Sequence, residues 1–467
     1  MGAHPPIAQK GATIMSDTIA AIATALTPSA IGIVRLSGSA SAEIAGRVFT
    51  PDSGVPLREA PNRKLVYGAL RDEAGRVIDR CLAVYTRGPR SYTGEDTVEL
   101  QCHGAPIVLT AALNALFAAG ARQAEAGEFT KRAFLNGRMD LTQCEAVVDL
   151  IDAETADAAA NAAGQLAGAV SRRTDAVYDA LRDVLAHFHV SLDYPDEDIE
   201  PFSLDDYAAM LRTQSDALGA LLASFEQGRI VKNGVRAAIL GRPNAGKSSL
   251  LNALAGYDRV IVTATPGTTR DTVEHAVRLG GVTVRLIDTA GIRETPDAIE
   301  RMGVERAEQA ALDCDLALFV CDAAAPLTSE DRRAIDTAKR APRAVALLNK
   351  SDLPAVVRAE ELPFETVLPV SAKTGAGLPQ LADYLAQTFA AGAPCDGSLL
   401  TNARQADAVR RAKASLDSAI LALELGLTPD AVLVDVEAAM QPLGELTGRA
   451  VSEDVTSRIF ERFCVGK

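Results

Sequence analysis

The sequence predicts a chain of α/β and α domains: an N-terminal α/β domain, then a helical domain interrupted by an inserted P-loop domain with a mainly parallel sheet. Three observations carry this. Residues 15–136 mix short β-like runs, such as Gly32–Leu36 and Cys81–Tyr85, with Gly and Pro punctuation. From residue 141 to 230 the texture changes to Ala, Leu, Asp and Arg with apolar residues at helical spacing, and it returns after residue 400 as far as Phe463. Between these, from 235 to 388, strand-like and helix-like runs alternate, the pattern of parallel strands joined by crossover helices. Insertion of one domain into another is tolerated because domain termini often lie close together.

Bulk properties agree with several folded domains. At roughly 150 residues per domain, 467 residues suggest about three. Residues 1–14 lack the basic start and apolar core of a signal peptide and read as a disordered extension, with Met15 as an alternative start. Gly2 lacks the downstream Ser or Thr of a myristoylation signal. No apolar run is long enough for a membrane span. The seven cysteines are scattered and form no C-x-x-C pair, which predicts neither a zinc site nor a disulfide framework and fits a reduced, cytoplasmic compartment. A net charge of −14 gives no field to attract nucleic acid, so any RNA contact needs a local basic patch or a partner. The acidic stretch Asp193–Asp206 reads as a solvated loop. The predicted divisions are 1–14, 15–136, 137–232, 233–390 and 391–467.

The inserted domain carries the chemistry. Strand-like runs are Val235–Leu240, Val282–Ile287, Leu316–Val320, Ala344–Leu348 and Val367–Val370. Gly241–Ser248 fits G-x-x-x-x-G-K-S between the first of these and the helical run Ser249–Ala255. In such a loop the backbone of Asn244, Ala245 and Gly246 turns N–H groups toward phosphates, Lys247 bridges the β- and γ-phosphates, and Ser248 ligates Mg²⁺, with Ser249 opening the helix. Asp288-Thr289-Ala290-Gly291 ends the second strand, where a carboxylate holds a Mg²⁺-bound water and Gly291 N–H approaches the γ-phosphate. Asn349-Lys350-Ser351-Asp352 follows the fourth strand. Guanine offers adjacent N1–H and N2–H₂ donors that the Asp352 carboxylate accepts, so GTP is expected over ATP. Ser371-Ala372-Lys373 supplies a backbone N–H for guanine O6. Gly267-Thr268-Thr269-Arg270-Asp271 reads as a switch loop, with Thr269 as the second hydroxyl ligand of Mg²⁺, and Thr263-Ala264-Thr265-Pro266 just before it are expected in the GTP site. These motifs in this order predict a Ras-like P-loop G domain, with one departure. Ile292 stands where Ras-like enzymes place a water-orienting Gln, so the catalytic group must come from elsewhere.

Outside the G domain the chain resembles the MnmE (TrmE) family of tRNA-modifying GTPases, which act on the wobble uridine. The resemblance rests on Asp17-Thr18-Ile19, Gly32-Ile33-Val34-Arg35-Leu36-Ser37-Gly38, Ser91-Tyr92-Thr93-Gly94-Glu95-Asp96 and Glu99-Leu100-Gln101. It also rests on Gly127-Glu128-Phe129-Thr130 with Arg132–Gly137, and on the terminal Cys464-Val465-Gly466-Lys467. It runs from about residue 16 to the end of the chain. It implies a folate-binding N-terminal domain, a homodimer through those domains, and a heterotetramer with a flavoprotein partner, MnmG. The implied reaction places an aminomethyl or carboxymethylaminomethyl group on C5 of the uridine in tRNA. A 5-formyl- or methylene-tetrahydrofolate is the implied one-carbon ligand, and GTP hydrolysis drives a conformational change.

Carried over residue by residue, the implied folate site is Arg35, Glu99, Arg138 and Lys467. The chemistry suits it: Arg and Lys pair with folate carboxylates, and Glu accepts from a guanine-like pterin edge. The implied K⁺ ligands are Asn244, Thr263, Thr265 and Thr268, and a cation held there stabilises transition-state charge as an arginine finger would. Glu300 is the implied water-positioning residue, and Cys464, placed in the terminal CVGK past the helical run Val451–Phe463, is expected to be a functional thiol near the folate site. Two other readings use the same motifs. An Era-like ribosome-assembly GTPase would share the G domain and leave the CVGK tail and the residues before the P-loop unexplained. A folate-binding protein with structural GTP would keep modifying tRNA when hydrolysis is blocked.

Overall fold

Alternation of buried and exposed residues builds the first sheet. The strand Val77–Thr86, for example, buries Cys81, Ala83 and Tyr85 and turns the residues between them outward. In this computed structural model, residues 17–193, 204–257, 275–287, 308–390, 396–449, 459–460, 463 and 465–466 are described. They divide into two compact units, one of Met1–Val148, Gln165–Gly219 and Asp407–Lys467, the other of Asp149–Gly164 and Ala220–Ala406.

The first unit holds β1 (Ile19–Ile22), β2 (Ser29–Ser37), β3 (Phe49–Pro51), β4 (Leu65–Arg71), β5 (Val77–Thr86), β6 (Thr97–Gly104) and β7 (Arg122–Gln123). Their order is β3-β4-β5-β6-β2-β1-β7. All pairings are antiparallel except β1 with β7. Helices Ser41–Val48 and Pro106–Ala118 cover one face, closing a core around Leu36, Leu70, Leu100, Leu109 and Leu116. Burial of such side chains stabilises by about 1.5–3 kcal/mol each. Pro106 opens its helix at a first-turn position, where its missing N–H costs nothing.

Long helices complete this unit. Pro429–Thr447 packs along Ala169–Asp193, and Arg449 donates to Asp175 at 2.8 Å while lying over the Tyr178 ring. The helical domain is thus discontinuous, built from chain on both sides of the insertion. The expected loop Asp193–Asp206 is shorter than the sequence suggested. Asp193 ends one helix, and Asp205 and Asp206 sit in the first turn of Leu204–Ala223, where the positive end of the helix dipole favours carboxylates. Residues 194–203 lie outside the described residues.

The second unit holds β8 (Val235–Leu240), β9 (His275–Leu279), β10 (Val282–Ile287), β11 (Leu316–Asp322), β12 (Ala344–Asn349) and β13 (Val367–Pro369). Their order is β13-β12-β11-β8-β10-β9. The sheet is parallel except for β9, which pairs antiparallel with β10 across Gly280-Gly281. Both glycines have positive φ, 59° and 80°, as a two-residue hairpin turn of this hand requires. Every residue of β11 is buried, because apolar clusters cover both faces of the sheet. Among the described residues, no helix is long and apolar enough to cross a membrane.

The first unit also contains a buried ionic network. Arg132, 2% exposed, donates to Asp17 O at 3.0 Å, Asp17 Oδ1 at 2.9 Å, Glu95 Oε2 at 3.0 Å and Glu128 Oε1 at 3.0 Å. Arg122 joins Asp17 at 2.7 Å and Glu128 at 2.7 Å. The Arg122 hydrogen bond holds the Asp17 carboxyl below its ordinary range. Burial pushes Glu128 up, but its bonds from Arg122, the Glu125 N–H and Arg132 outweigh that and leave it lowered. Carboxylates with lowered pKa contribute stability that is present above their unfolded value and lost as pH falls through the folded one. The first unit should therefore lose hydrogen-exchange protection in β1, β2 and β6 as pH drops below the ordinary carboxylate range. Arg132→Met takes the shared partner from three carboxylates, leaving Asp17 and Glu128 to Arg122 and Glu95 without a cation among the described residues, and should cost about 3–5 kcal/mol at neutral pH. Unchanged protection of those strands in Arg132→Met would contradict the network's role.

Candidate functional site

Ligands of open parallel sheets bind beyond the carboxyl ends of the strands. Beyond β8 the chain turns through Gly241–Ser248 into helix Lys247–Tyr257. Asn244 takes a left-handed φ of 63°, a conformation that Asn tolerates better than most side chains. Ala245 is buried, and the hydroxyl-bearing Ser248 and Ser249 are exposed at the helix N-terminus. Lys247 Nζ donates to Gly241 O at 2.7 Å and Arg242 O at 2.8 Å, folding back over its own loop.

Asn349, at the end of β12, ties this loop to the next. Its Nδ2 donates to Ala245 O at 3.0 Å, and its Oδ1 accepts from Ala372 N at 3.1 Å. It is 2% exposed. A Cβ at position 246 would lie 2.1 Å from Asn349 Nδ2, so Gly246 is required for this approach as well as for its φ of 97°. Asp352 is exposed and accepts from Ser371 Oγ at 2.7 Å. That hydroxyl holds the carboxyl below its ordinary value, so it is an ionised acceptor at neutral pH. The structure thus brings together Asn244–Ser249, Asn349–Asp352 and Ser371–Lys373. Thr263–Thr269, Asp288–Gly291, Ile292 and Glu300 lie outside the described residues.

Sequence reasoning missed two supports of this site. Asp322 ends β11 directly beside Asn349 and accepts from Lys350 Nζ at 2.6 Å. Burial pushes its carboxyl up, and the Lys350 and Ala324 donors outweigh burial and keep it lowered. Arg242, inside the P-loop, pairs with the buried Asp331 at 3.2 Å, in the first turn of helix Ser329–Ala338. The legible signal was an Asp at the end of an otherwise apolar strand.

A second constellation lies in the first unit. Arg35 and Glu99 face each other across β2 and β6 and form an ion pair, Nε to Oε1, of 2.8 Å. The Arg35 guanidinium sits over the Tyr92 ring at 5.5 Å and the Phe129 ring at 5.8 Å, attracted by the π faces. Arg138 Nε donates to Ser91 O at 3.1 Å, which brings it to the same 91–96 loop. Phe460 and Phe463 pack with Phe134, Leu141 and Cys144. Val465 then forms a bridge with Ala126, and Gly466 lies against Ile22 O. The tail therefore runs along the N-terminal sheet. Cys464 and Lys467 are outside the described residues.

Asn349→Ala removes both bonds between the P-loop and the Ser371–Lys373 loop. It should weaken guanine nucleotide binding by about 1–3 kcal/mol, the usual cost of stranding buried polar partners. Titration with a fluorescent GDP analogue checks this, and wild-type affinity would contradict the coupling.

Comparison with known proteins bears on the whole chain. Residues 141–464 match the MnmE helical domain, and residues 18–138 match the GTP-binding protein TrmE N-terminus. The tRNA modification GTPase MnmE of Roseiflexus sp. (strain RS-1) is 45% identical over 97% of this chain and 100% of its own length. That of Symbiobacterium thermophilum is 45% identical over 97% and 99%, and that of Clostridioides difficile (strain 630) 39% over 97% and 100%. Among solved structures, Era of Aquifex aeolicus is 25% identical over 39% of this chain and 66% of that chain, with a TM-score of 0.27. With both domain matches and this identity over nearly its full length, the chain belongs to the MnmE (TrmE) family of tRNA modification GTPases.

Proposed function

We propose that this tRNA modification GTPase hydrolyses GTP in a K⁺-assisted reaction and uses a tetrahydrofolate one-carbon unit to modify the wobble uridine of tRNA at C5, with a flavoprotein of the MnmG type. The observation that carries the nucleotide half is the convergence of the P-loop, Asn349–Asp352 and Ser371–Lys373 through the buried Asn349. Lys247 exchanges its loop carbonyls for β- and γ-phosphate oxygens, and Asp352 accepts from guanine N1–H and N2–H₂. Ser248 and Thr269 are hard oxygen donors suited to Mg²⁺. Asn244, Thr263, Thr265 and Thr268 offer oxygens suited to K⁺, which supplies positive charge beside the phosphates. Glu300 orients the attacking water in place of the absent Gln.

The folate half rests on the first unit. Among the described residues the Arg35–Glu99 pair uses one nitrogen and one oxygen, leaving Glu99 Oε2 and the remaining guanidinium nitrogens for a ligand. Both side chains are partly exposed, at 19% and 28%. Arg138 and Lys467 add positive charge suited to the ligand's carboxylates. The tail's path beside β1 supports a thiol, Cys464, acting at this site rather than in nucleotide turnover. In this reading residues 15–136 form the folate-binding domain and the dimer contact, 137–232 and 391–467 the helical domain, and 233–390 the G domain. The cytoplasm, where the tRNA pool resides, is the proposed compartment.

The reading is tested in cells first. Mass analysis of wobble uridines in tRNA from cells lacking the protein should show loss of the C5 group, and normal uridines would remove the assignment. Cys464→Ser should abolish the modification while leaving GTP turnover near normal.

GTP turnover compared in K⁺ and Na⁺ at equal ionic strength should be faster in K⁺. Asn244→Ala should erase most of that difference while GTP still binds, and equal rates in the two salts for the wild type would sink the mechanism. Glu300→Ala should bind GTP normally and turn it over about 10²–10⁴-fold more slowly.

A further inference from the structure

We propose that Asp79, Cys81 and Cys102, in the first unit, form a binding site for one thiophilic divalent cation of the zinc class. The sequence hides this site, because Cys81 and Cys102 are far apart in the chain and follow no metal-binding spacing. The fold brings them together. Asp79 and Cys81 are two residues apart on β5 and so share a face. β6 runs antiparallel with Leu82 opposite Gln101, which carries Cys102 beside Cys81. One carboxylate oxygen and the two Sγ atoms all lie within 4.8 Å of one another. Side-chain rotation alone can close such a triangle onto a tetrahedral ion, whose bonds are about 2.0–2.3 Å long.

The carboxylate is held in place for the role. Asp79 Oδ2 accepts from His103 N at 2.8 Å, and Oδ1 accepts from Arg80 N at 2.7 Å and contacts His103 Nδ1 at 2.8 Å. Hydrogen bonds from outside the ligand set orient ligands in this way in metal sites. The alternative use of the two cysteines is as small apolar core residues, and both belong to the apolar cluster under the sheet. Apolar packing accounts for the two thiols and the His103 and Arg80 bonds account for the carboxylate, but neither calls for the carboxylate oxygen and both sulfurs to converge on one point. A divalent cation gives all three groups a common purpose. Binding releases one proton from each thiol to solvent, forms two metal–sulfur bonds and one metal–oxygen bond, and transfers no electrons. Three protein ligands leave the fourth position to water. Access is from the Asp79 side, the least buried of the three, beside the exposed ring of His103.

The test uses the full chain, stripped with a chelator under reductant and titrated with Co²⁺. A sulfur-to-cobalt charge-transfer band should saturate at one equivalent and be displaced by Zn²⁺. Cys81→Ser and Cys102→Ser should each abolish it. His103→Ala, a change at an exposed side chain that spares the core, should weaken Co²⁺ binding by about 10–100-fold. Absence of the band in the folded wild type would overturn the proposal. So would its persistence in Cys102→Ser, which would place it on other cysteines, or an undiminished affinity in His103→Ala. A Cys81–Cys102 disulfide found in the metal-free protein isolated without reductant would also overturn it, by assigning the pair to redox chemistry.

Discussion

The buried guanidinium of Arg132 ties together three stretches of chain that are remote in sequence. Its forked donors reach Asp17 ahead of β1, Glu95 in the 91–96 loop and Glu128 one turn earlier on its own helix. Lysine could not do this, since it offers one compact charge in place of a planar fork. The same loop is fixed again by Asn136 Nδ2 on Thr93 O at 2.8 Å, by Arg138 on Ser91 O, and by Tyr92 Oη against Thr130 Oγ1 at 2.8 Å. The result is a rigid wall in which Tyr92 and Phe129 stand at fixed positions, with the Arg35 guanidinium over both rings. The Arg35–Glu99 pair is thus presented by strands on one side and by this clamped wall on the other. A buried network of this kind contributes little net stability compared with apolar packing, yet breaking one member is costly. Its value here is geometric.

The G domain solves a similar problem with neutral groups. Its parallel sheet is covered on both faces, so only the strand ends are free to carry polar loops. Each such loop is soft alone. Asn349 couples two of them with one side chain, donating to the P-loop and accepting from the Ser371–Lys373 loop. Lys350 and Asp322 brace the base of the same strand ends. A nucleotide spanning from P-loop to Asp352 would therefore meet a site whose two ends are already in register, which reduces the ordering cost of binding.

Much of this was legible in the sequence, and what was not has physical reasons. The strands β11 and β12 were readable because burial on both faces makes them near-continuous apolar runs, and β8 and β10 because their β-branched and apolar residues are interrupted only by Arg236 and by Thr283 and Arg285. β9 was missed although Gly280-Gly281 between two strand-like runs is a hairpin signal, because an edge strand of five residues, with Ala276, Val277 and Leu279 buried, is too short to show a period. β3 and β7 are three and two residues long and have no pattern to read. The P-loop and guanine motifs are local, so their spacing sufficed. The facing of Arg35 and Glu99 depends on the register of β2 against β6, which no local pattern specifies. The stretches 91–96 and 127–138 marked the family before their purpose was visible. The structure shows that Arg132 joins Glu95 to Glu128, while Asn136 holds the same 91–96 loop through Thr93 O. The Cys81–Cys102 neighbourhood was equally hidden, since antiparallel pairing creates it.

Arg132, a side chain too buried to touch a ligand, sets the geometry of the Arg35–Glu99 site. The most direct measurement is equilibrium binding of 5-formyl-tetrahydrofolate, the proposed ligand, to the Arg132→Lys variant, with hydrogen-exchange protection of β1, β2 and β6 as the control for folding of the first unit and guanine nucleotide binding as the control for the second. The account predicts that folate affinity falls about tenfold or more, roughly 1.4 kcal/mol, while nucleotide affinity is unchanged. Wild-type folate affinity in Arg132→Lys would contradict it.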